Sequence, residues 1–185
     1  MINYQQAKKI LKKAKIKIKD EEISIKNSLN RILAKDITSP TDYPLGNNAA
    51  FDGFAINSND TKNINKDNMK NFKIVGSIAA GSKPFKKKIQ RFETIEIMTG
   101  GIISKPFNTI VPIERINFHP NKKKSKSIVI NQKVNKYNHV RFKGSDYKKG
   151  QLVIKKGSII QPNHILAIKT LGIKKIKVKK KLNIL

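Results

Sequence analysis

The sequence predicts an α+β fold, mostly β, in which helical segments near both ends of the chain frame a β-rich middle. Three observations predict it. Apolar residues recur at helical spacing between residues 3 and 14. A cluster of prolines, glycine and asparagines, SPTDYPLGNN (Ser39 to Asn48), then marks a change of pattern. From Phe51 to about Val134 the apolar residues come in short runs parted by turn residues, and the pattern reverses near Asn138. The expected architecture is a split first domain, residues 1–46 and 139–180, with two or three helices. It carries residues 47–138 as an inserted β-rich domain. A chain of 185 residues with 38% hydrophobic content can bury a core of that kind.

Each element has its own signal. Ala7, Ile10, Leu11 and Ala14 line one face of the first helix, with lysines on the other. Ser28 to Ala34, carrying Leu29, Ile32 and Leu33, reads as a second, shorter helix. In the middle, the runs FAI, FKIVGSIAAG, ETIEIMTGG, TIVPIE and SIVI read as strands, and NKKKSKS (Asn121 to Ser127) is polar enough to be a loop. Farther on, KKGQLVIKKGSIIQP holds two short strands punctuated by Gly150 and Gly157. Pro162 opens a helix with Ile165, Leu166 and Ile168 to pack, and Gly172 is placed to end it. IKKIKVKKKLNIL closes as alternating strand material. Ile10, Leu11, Leu166 and Leu171 are more apolar positions than a small split core has room for, which predicts self-association.

Composition narrows the function classes. With no cysteine there are no disulfides and no thiolate chemistry, and His119, His139 and His164 are too dispersed to show metal-ligand spacing. No apolar run approaches a membrane span, and MINYQQAKKILKK lacks the apolar core of a secretory signal, so the expected location is the cytoplasm, with no membrane partner. The net charge of +28 invites a nucleic-acid reading. Yet only Arg31, Arg91, Arg115 and Arg141 are arginines among the 40 basic residues, and the lysines scatter through every segment. Scattered lysine describes a solvated surface with an A/T-rich coding bias better than a stripe built to read phosphate or guanine.

Two short stretches carry the candidate chemistry. In NNAAFDGFAI, Asp52 is one of only 12 acidic residues in the chain. Asp-Gly between apolar residues is a two-residue hairpin signal, with Gly53 at positive φ. Thr99-Gly100-Gly101 combines a hydroxyl with residues that let backbone approach closely, as a small anion-binding turn would. A simple strand-ending turn is the alternative.

The order and spacing of PLGNNAAFDGFAI, GSIAAGSKP, IEIMTGG, TIVPIE, VRFKGSDYKKGQLVIKKGSIIQP and TLGIKKIKV resembles the N-terminal half of the molybdopterin molybdenumtransferases, the MoeA and gephyrin E-domain family. The resemblance implies a barrel-like inserted domain. It also implies an enzyme that inserts molybdate into adenylylated molybdopterin with release of AMP, aided by a divalent cation, usually Mg²⁺. Such enzymes act as homodimers whose cleft joins the inserted domain of one subunit to a third domain of the other. Position by position, the family's acidic residue in its DGYA segment falls on Asp52, its MTG threonine on Thr99 and the aspartate of its GED segment on Asp146, with Gly100 and Gly101 beside the bound group. No metal ligand is assigned in this chain.

Two departures stand out: Ala49 replaces the family's usual Ser, and Ser145 replaces the Glu of GED. Residues 181–185, KLNIL, look like the opening strand of the third domain, so the pterin- and nucleotide-binding part is expected elsewhere, on a separate chain if the gene is split. A chain lacking it would be inactive alone. The competing readings are a degenerate scaffold or dimerisation module of the same family and, more distantly, a basic RNA-binding protein.

Overall fold

The computed structural model describes residues 2–13, 17–119 and 126–182. Ala14 of the expected first helix, residues 183–185 of the expected last strand and 121–125 of the expected loop lie outside the described residues. The chain begins with helix α1 (Tyr4–Lys13), followed by strands β1 (Asp20–Ser24), β2 (Ile37–Thr38), β3 (Asn48–Ala49) and β4 (Gly53–Ile56). Next come β5 (Lys70–Ile78), β6 (Glu93–Ile97), β7 (Thr109–Pro112), β8 (Asn117–His119), β9 (Ser127–Ile130) and β10 (Val140–Arg141). Strand β11 (Leu152–Ile154), helix α2 (Pro162–Thr170) and strand β12 (Lys175–Lys179) complete the described elements. The fold is therefore α+β and mostly β, with two α-helices among the described residues.

The chain divides into two compact units, Met1–Pro40 with Gly150–Leu185, and Thr41–Lys149. In the first, β1 runs antiparallel to β12 from Asp20↔Lys179 to Ser24↔Lys175, and β2 pairs with β11. These ribbons and α2 enclose Ile25, Leu33, Ile37, Ile154, Ile160, Ile168, Ile176 and Val178.

The helix expected over Ser28–Ala34 does not form. Residues 31–34 are extended and bonded on both sides: Ile160 N–H donates to the Arg31 carbonyl and Leu33 N–H to Ser158, while Ala34 N–H donates to Lys177 and Lys179 N–H to Ile32. Leu33 and Ala34 are thereby buried while Ile32 stays exposed. Pairing on two sides satisfies the backbone better than one short helical turn could.

Helix α2 follows its sequence signals. Pro162 sits in its first turn, Gln161 N–H is accepted by His164 Nδ1, and Gly172 takes a left-handed φ of 73° just beyond its end. Helix α1 is capped by reciprocal bonds between Asn3 and Gln6 but buries none of its residues, leaving Ile10 and Leu11 exposed. Leu166 is exposed as well, whereas Leu171 is buried at 7% and does not belong with the exposed apolar positions.

The second unit is built on an open six-stranded sheet in the order β7-β4-β6-β5-β9-β8, with β7 and β8 at its edges. Only the β5–β6 pair is parallel. Strand β4 is buried along its whole length, and its side chains alternate between two cores: Phe54 and Ile56 join Phe72, Val111 and Ile128, while Ala55 joins Ile78, Ile95, Ile97 and Ile110. The buried Thr94 hydroxyl donates to the Ala55 carbonyl at 2.8 Å, which ties β6 to β4. Strands β3 and β10 form a separate ribbon, Ala49↔Val140 and Asn48↔Arg141.

Candidate functional site

Asp52 stands at a corner, not in a hairpin. The strands on either side of it take different partners, β3 pairing with β10 and β4 with β6 and β7. Gly53 has no positive φ; it lies within β4, opposite Ile97 and Pro112. A Cβ there would fall 2.1 Å from the Val111 carbonyl oxygen, so glycine serves close strand approach and not turn curvature. The corner is pinned on both sides of Asp52: Ala50 N–H donates to the His139 carbonyl, and Ile113 N–H donates to the Asp52 carbonyl. The Phe51 ring stands edge-on to His139 at 5.0 Å. His139, one of the three dispersed histidines, thus buttresses the corner with a left-handed φ of 56°.

Thr99, just past the end of β6, meets this corner. Its backbone N–H and its hydroxyl both donate to Asp52 Oδ1, at 2.6 and 2.7 Å. These two bonds hold the Asp52 carboxyl below its ordinary pKa of 3.8, the backbone bond contributing most. No described residue bonds Oδ2, and Asp52 is exposed. The result is a fixed, ionised carboxylate with one oxygen presented to solvent.

The amides of the turn itself bond within the fold, as in a strand-ending turn. Gly100, at a φ of 82°, donates its N–H to the Ala49 carbonyl; Gly101 donates to Met98, and Ala49 donates back to Gly101. Every amide of Thr99-Gly100-Gly101 is therefore committed within the fold, and none is left for an anion. Gly101 is required for packing, because a Cβ would lie 2.7 Å from Ile97 Cγ1.

Asp146 belongs to another set of contacts in the same unit. It is ion-paired with Arg141, receives a 3.3 Å bond from the Ser145 hydroxyl, and donates its N–H to the Tyr43 carbonyl. Nearby, Asp42 accepts from Lys149 N–H at 2.9 Å and faces the Lys143 ammonium at 3.4 Å, and its carboxyl is lowered chiefly by that backbone bond. Sequence reasoning missed Asp42; its one signal is its place between the prolines of SPTDYP, where an aspartate commonly accepts a local backbone bond. The structure brings Asp52 and Thr99 into direct contact and holds Asp146 by Arg141 instead. Among the described residues no three His, Asp or Glu side chains gather where they could hold a metal ion.

A unit made from both ends of the chain, an intervening unit on an open six-stranded sheet, and a corner aspartate gripped by the threonine of a strand-ending turn define the class of protein that the motifs point to. The chain belongs to the family described as MoeA N-terminal region (domain I and II), which it matches over residues 2–172. It is 36% identical over 160 residues to a Methanocaldococcus jannaschii protein named for molybdopterin biosynthesis, covering 86% of this chain and 37% of that one. A molybdopterin molybdenumtransferase of Staphylococcus aureus is 32% identical over 156 residues, with 84% and 36% covered. The crystal structure of a molybdopterin biosynthesis MoeA protein from Pyrococcus horikoshii superposes with a TM-score of 0.80 at 29% identity, covering 97% of this chain and 44% of that one. The chain thus spans well under half the length of these relatives. No helix among the described residues is long and apolar enough to cross a membrane.

Proposed function

We propose that this chain supplies the first two domains of a molybdopterin molybdenumtransferase, the two compact units corresponding to domains I and II. The complete enzyme takes adenylylated molybdopterin and molybdate as substrates, inserts the metal and releases AMP. It works as a homodimer in the cytoplasm, with the remaining domains contributed by other residues or by a separate chain. The observation that carries this reading is the Asp52–Thr99 contact, because the two residues that the family resemblance assigns to chemistry meet at 2.6 and 2.7 Å. Cleaving a phosphoanhydride calls for a group that orients the attacking oxygen by accepting a hydrogen bond from it. A carboxylate kept ionised and fixed in direction, with Oδ2 unshared, suits that role; the Thr99 bonds limit its rotation. Asp146 enters the same chemistry only if Arg141 releases it.

The divalent cation of the family, usually Mg²⁺, does not fit the described residues of this chain alone. Mg²⁺ prefers octahedral oxygen coordination, and Asp52 offers one free oxygen while no three His, Asp or Glu side chains gather among the described residues. That site is left to the part of such proteins that this chain does not span.

The reading is tested by mixing the 185-residue chain with the separately produced remainder of the Staphylococcus aureus relative and measuring AMP release and molybdenum insertion. Activity from the mixture and none from either piece is expected. A mixture that associates, binds adenylylated molybdopterin and still does no chemistry would overturn it.

A further inference from the structure

A second feature of the Thr41–Lys149 unit is a cleft whose lining does not include Asp52. Asn47, Asn57 and Asn108 line this cleft of about 420 Å³, within the size range of small-molecule sites. Each of these asparagines has its amide orientation fixed by a backbone donor. Asn47 Oδ1 accepts from Lys143 N–H at 2.9 Å, Asn57 Oδ1 from Asn59 N–H at 3.1 Å and Asn108 Oδ1 from Ser58 N–H at 2.9 Å. A backbone N–H can only donate, so the oxygen must face it and the NH₂ must face away. No described residue accepts from any of the three NH₂ groups. Three half-buried side chains thus keep their acceptors inside the fold and leave their donors free.

The rest of the polar lining adds cations and one further amide, Asn59, which can donate or accept. Lys105 and Lys136 add two ammonium groups, Tyr137 adds a hydroxyl, and no carboxylate lines the cleft. Ile103 and Val140 form an apolar flank. A site with three fixed amide donors and two cations, and with no carboxylate, is complementary to an anion whose oxygens all accept. We infer that this cleft binds a tetrahedral oxyanion: the phosphate group of a small ester, or a free dianion of the same shape. The volume exceeds what a single oxyanion fills, and the flank of Ile103 and Val140 would take the organic part of an ester. The site shares no residue with Asp52, Thr99 or Asp146, so it stands or falls independently of the proposed chemistry.

The experiment is a titration of the ¹⁵N-labelled chain with inorganic phosphate, molybdate and phenyl phosphate, against sodium chloride at matched ionic strength. Backbone and asparagine NH₂ resonances are followed. Saturable shifts are expected at Asn47, Asn57, Asn108 and Lys136, largest in the side-chain NH₂ signals. Tighter binding of phenyl phosphate than of inorganic phosphate assigns the cleft to an ester; equal or tighter binding of phosphate or molybdate assigns it to a free oxyanion.

Asn57→Asp and Asn108→Asp each keep the oxygen that accepts the backbone bond while removing the donor, and each should weaken binding by about tenfold or more. Asn65→Asp makes the same charge change in an exposed turn, where Asn65 Oδ1 likewise accepts from the Asp67 and Asn68 amides, and should leave the affinity unchanged. Should either cleft variant unfold, Lys136→Gln provides the same test with the stem retained. Shifts that spread over the lysines without saturating, or equal weakening by Asn65→Asp, would reduce the effect to attraction by the net charge of +28 and overturn the inference.

Discussion

Asp52 and Asp146 are both aspartates at turns of the same unit, and both fall on positions that the family resemblance marks for chemistry, yet their surroundings differ in kind. Asp52 is held by two neutral donors from Thr99. Asp146 is held by the Arg141 guanidinium. Neutral donors stabilise the carboxylate without cancelling its charge, and here they engage only one of its oxygens. A guanidinium compensates the charge and can occupy both oxygens. The comparison teaches that motif spacing locates carboxylates, while the identity of their partners decides which is available for chemistry at rest.

The sharpest way to break the comparison is to disturb the corner itself. Gly53→Ala drives a methyl group into the Val111 carbonyl and should cost about 3 kcal/mol of stability by denaturant unfolding. Gly144→Ala, in the turn next to Asp146, meets Asp42 Cβ only at 3.5 Å and suffers mainly from its φ of 69°, about 1 kcal/mol. Equal losses at the two positions would mean that the corner is no more tightly built than the turn. Replacing Arg141 by Gln removes a half-exposed ion pair and should change stability by less than about 1 kcal/mol.

The smallest effect is on titration. Thr99→Val deletes the hydroxyl bond but keeps the stronger backbone one, so the Asp52 carboxyl should move part of the way back toward 3.8, measured by NMR of the carboxyl carbon. The sign for stability follows. A carboxyl depressed on folding stabilises the protein above its unfolded value of 3.8, and that contribution is lost as pH falls through the folded value. Wild type and Thr99→Val should therefore differ most at neutral pH and converge in acid.

Much of the fold was legible in the sequence where local signals were strong. Helix α2 has Pro162 at its start and Gly172 past its end, and α1 has helical spacing, so α2 and the described part of α1 lie where they were expected. Residues 31–34 were not legible, because their partners lie more than 120 residues away at Ser158, Ile160 and Lys177 to Lys179, and helix and strand are equally compatible with Leu29, Ile32 and Leu33. Asp-Gly at 52–53 misled for a related reason. The dipeptide signals curvature, but the need for glycine came from Val111, which no local pattern reveals. The residues of the Asp52–Thr99 contact could be named from motifs, whereas the Arg141–Asp146 pair, the His139 buttress and the commitment of the Gly100 and Gly101 amides required coordinates.

The most direct test of the central claim grafts this chain onto the remaining domains of the Staphylococcus aureus relative and compares wild type, Asp52→Asn and Asp146→Asn for AMP release and molybdenum insertion at matched stability. Asparagine at 52 keeps an oxygen for both Thr99 donors, so the corner persists while the charge is gone. The account predicts a loss of about a hundredfold or more for Asp52→Asn and less than tenfold for Asp146→Asn. Equal rates for wild type and Asp52→Asn would contradict it and leave Asp52 as a fastening of the strand corner, in a chain that serves as scaffold.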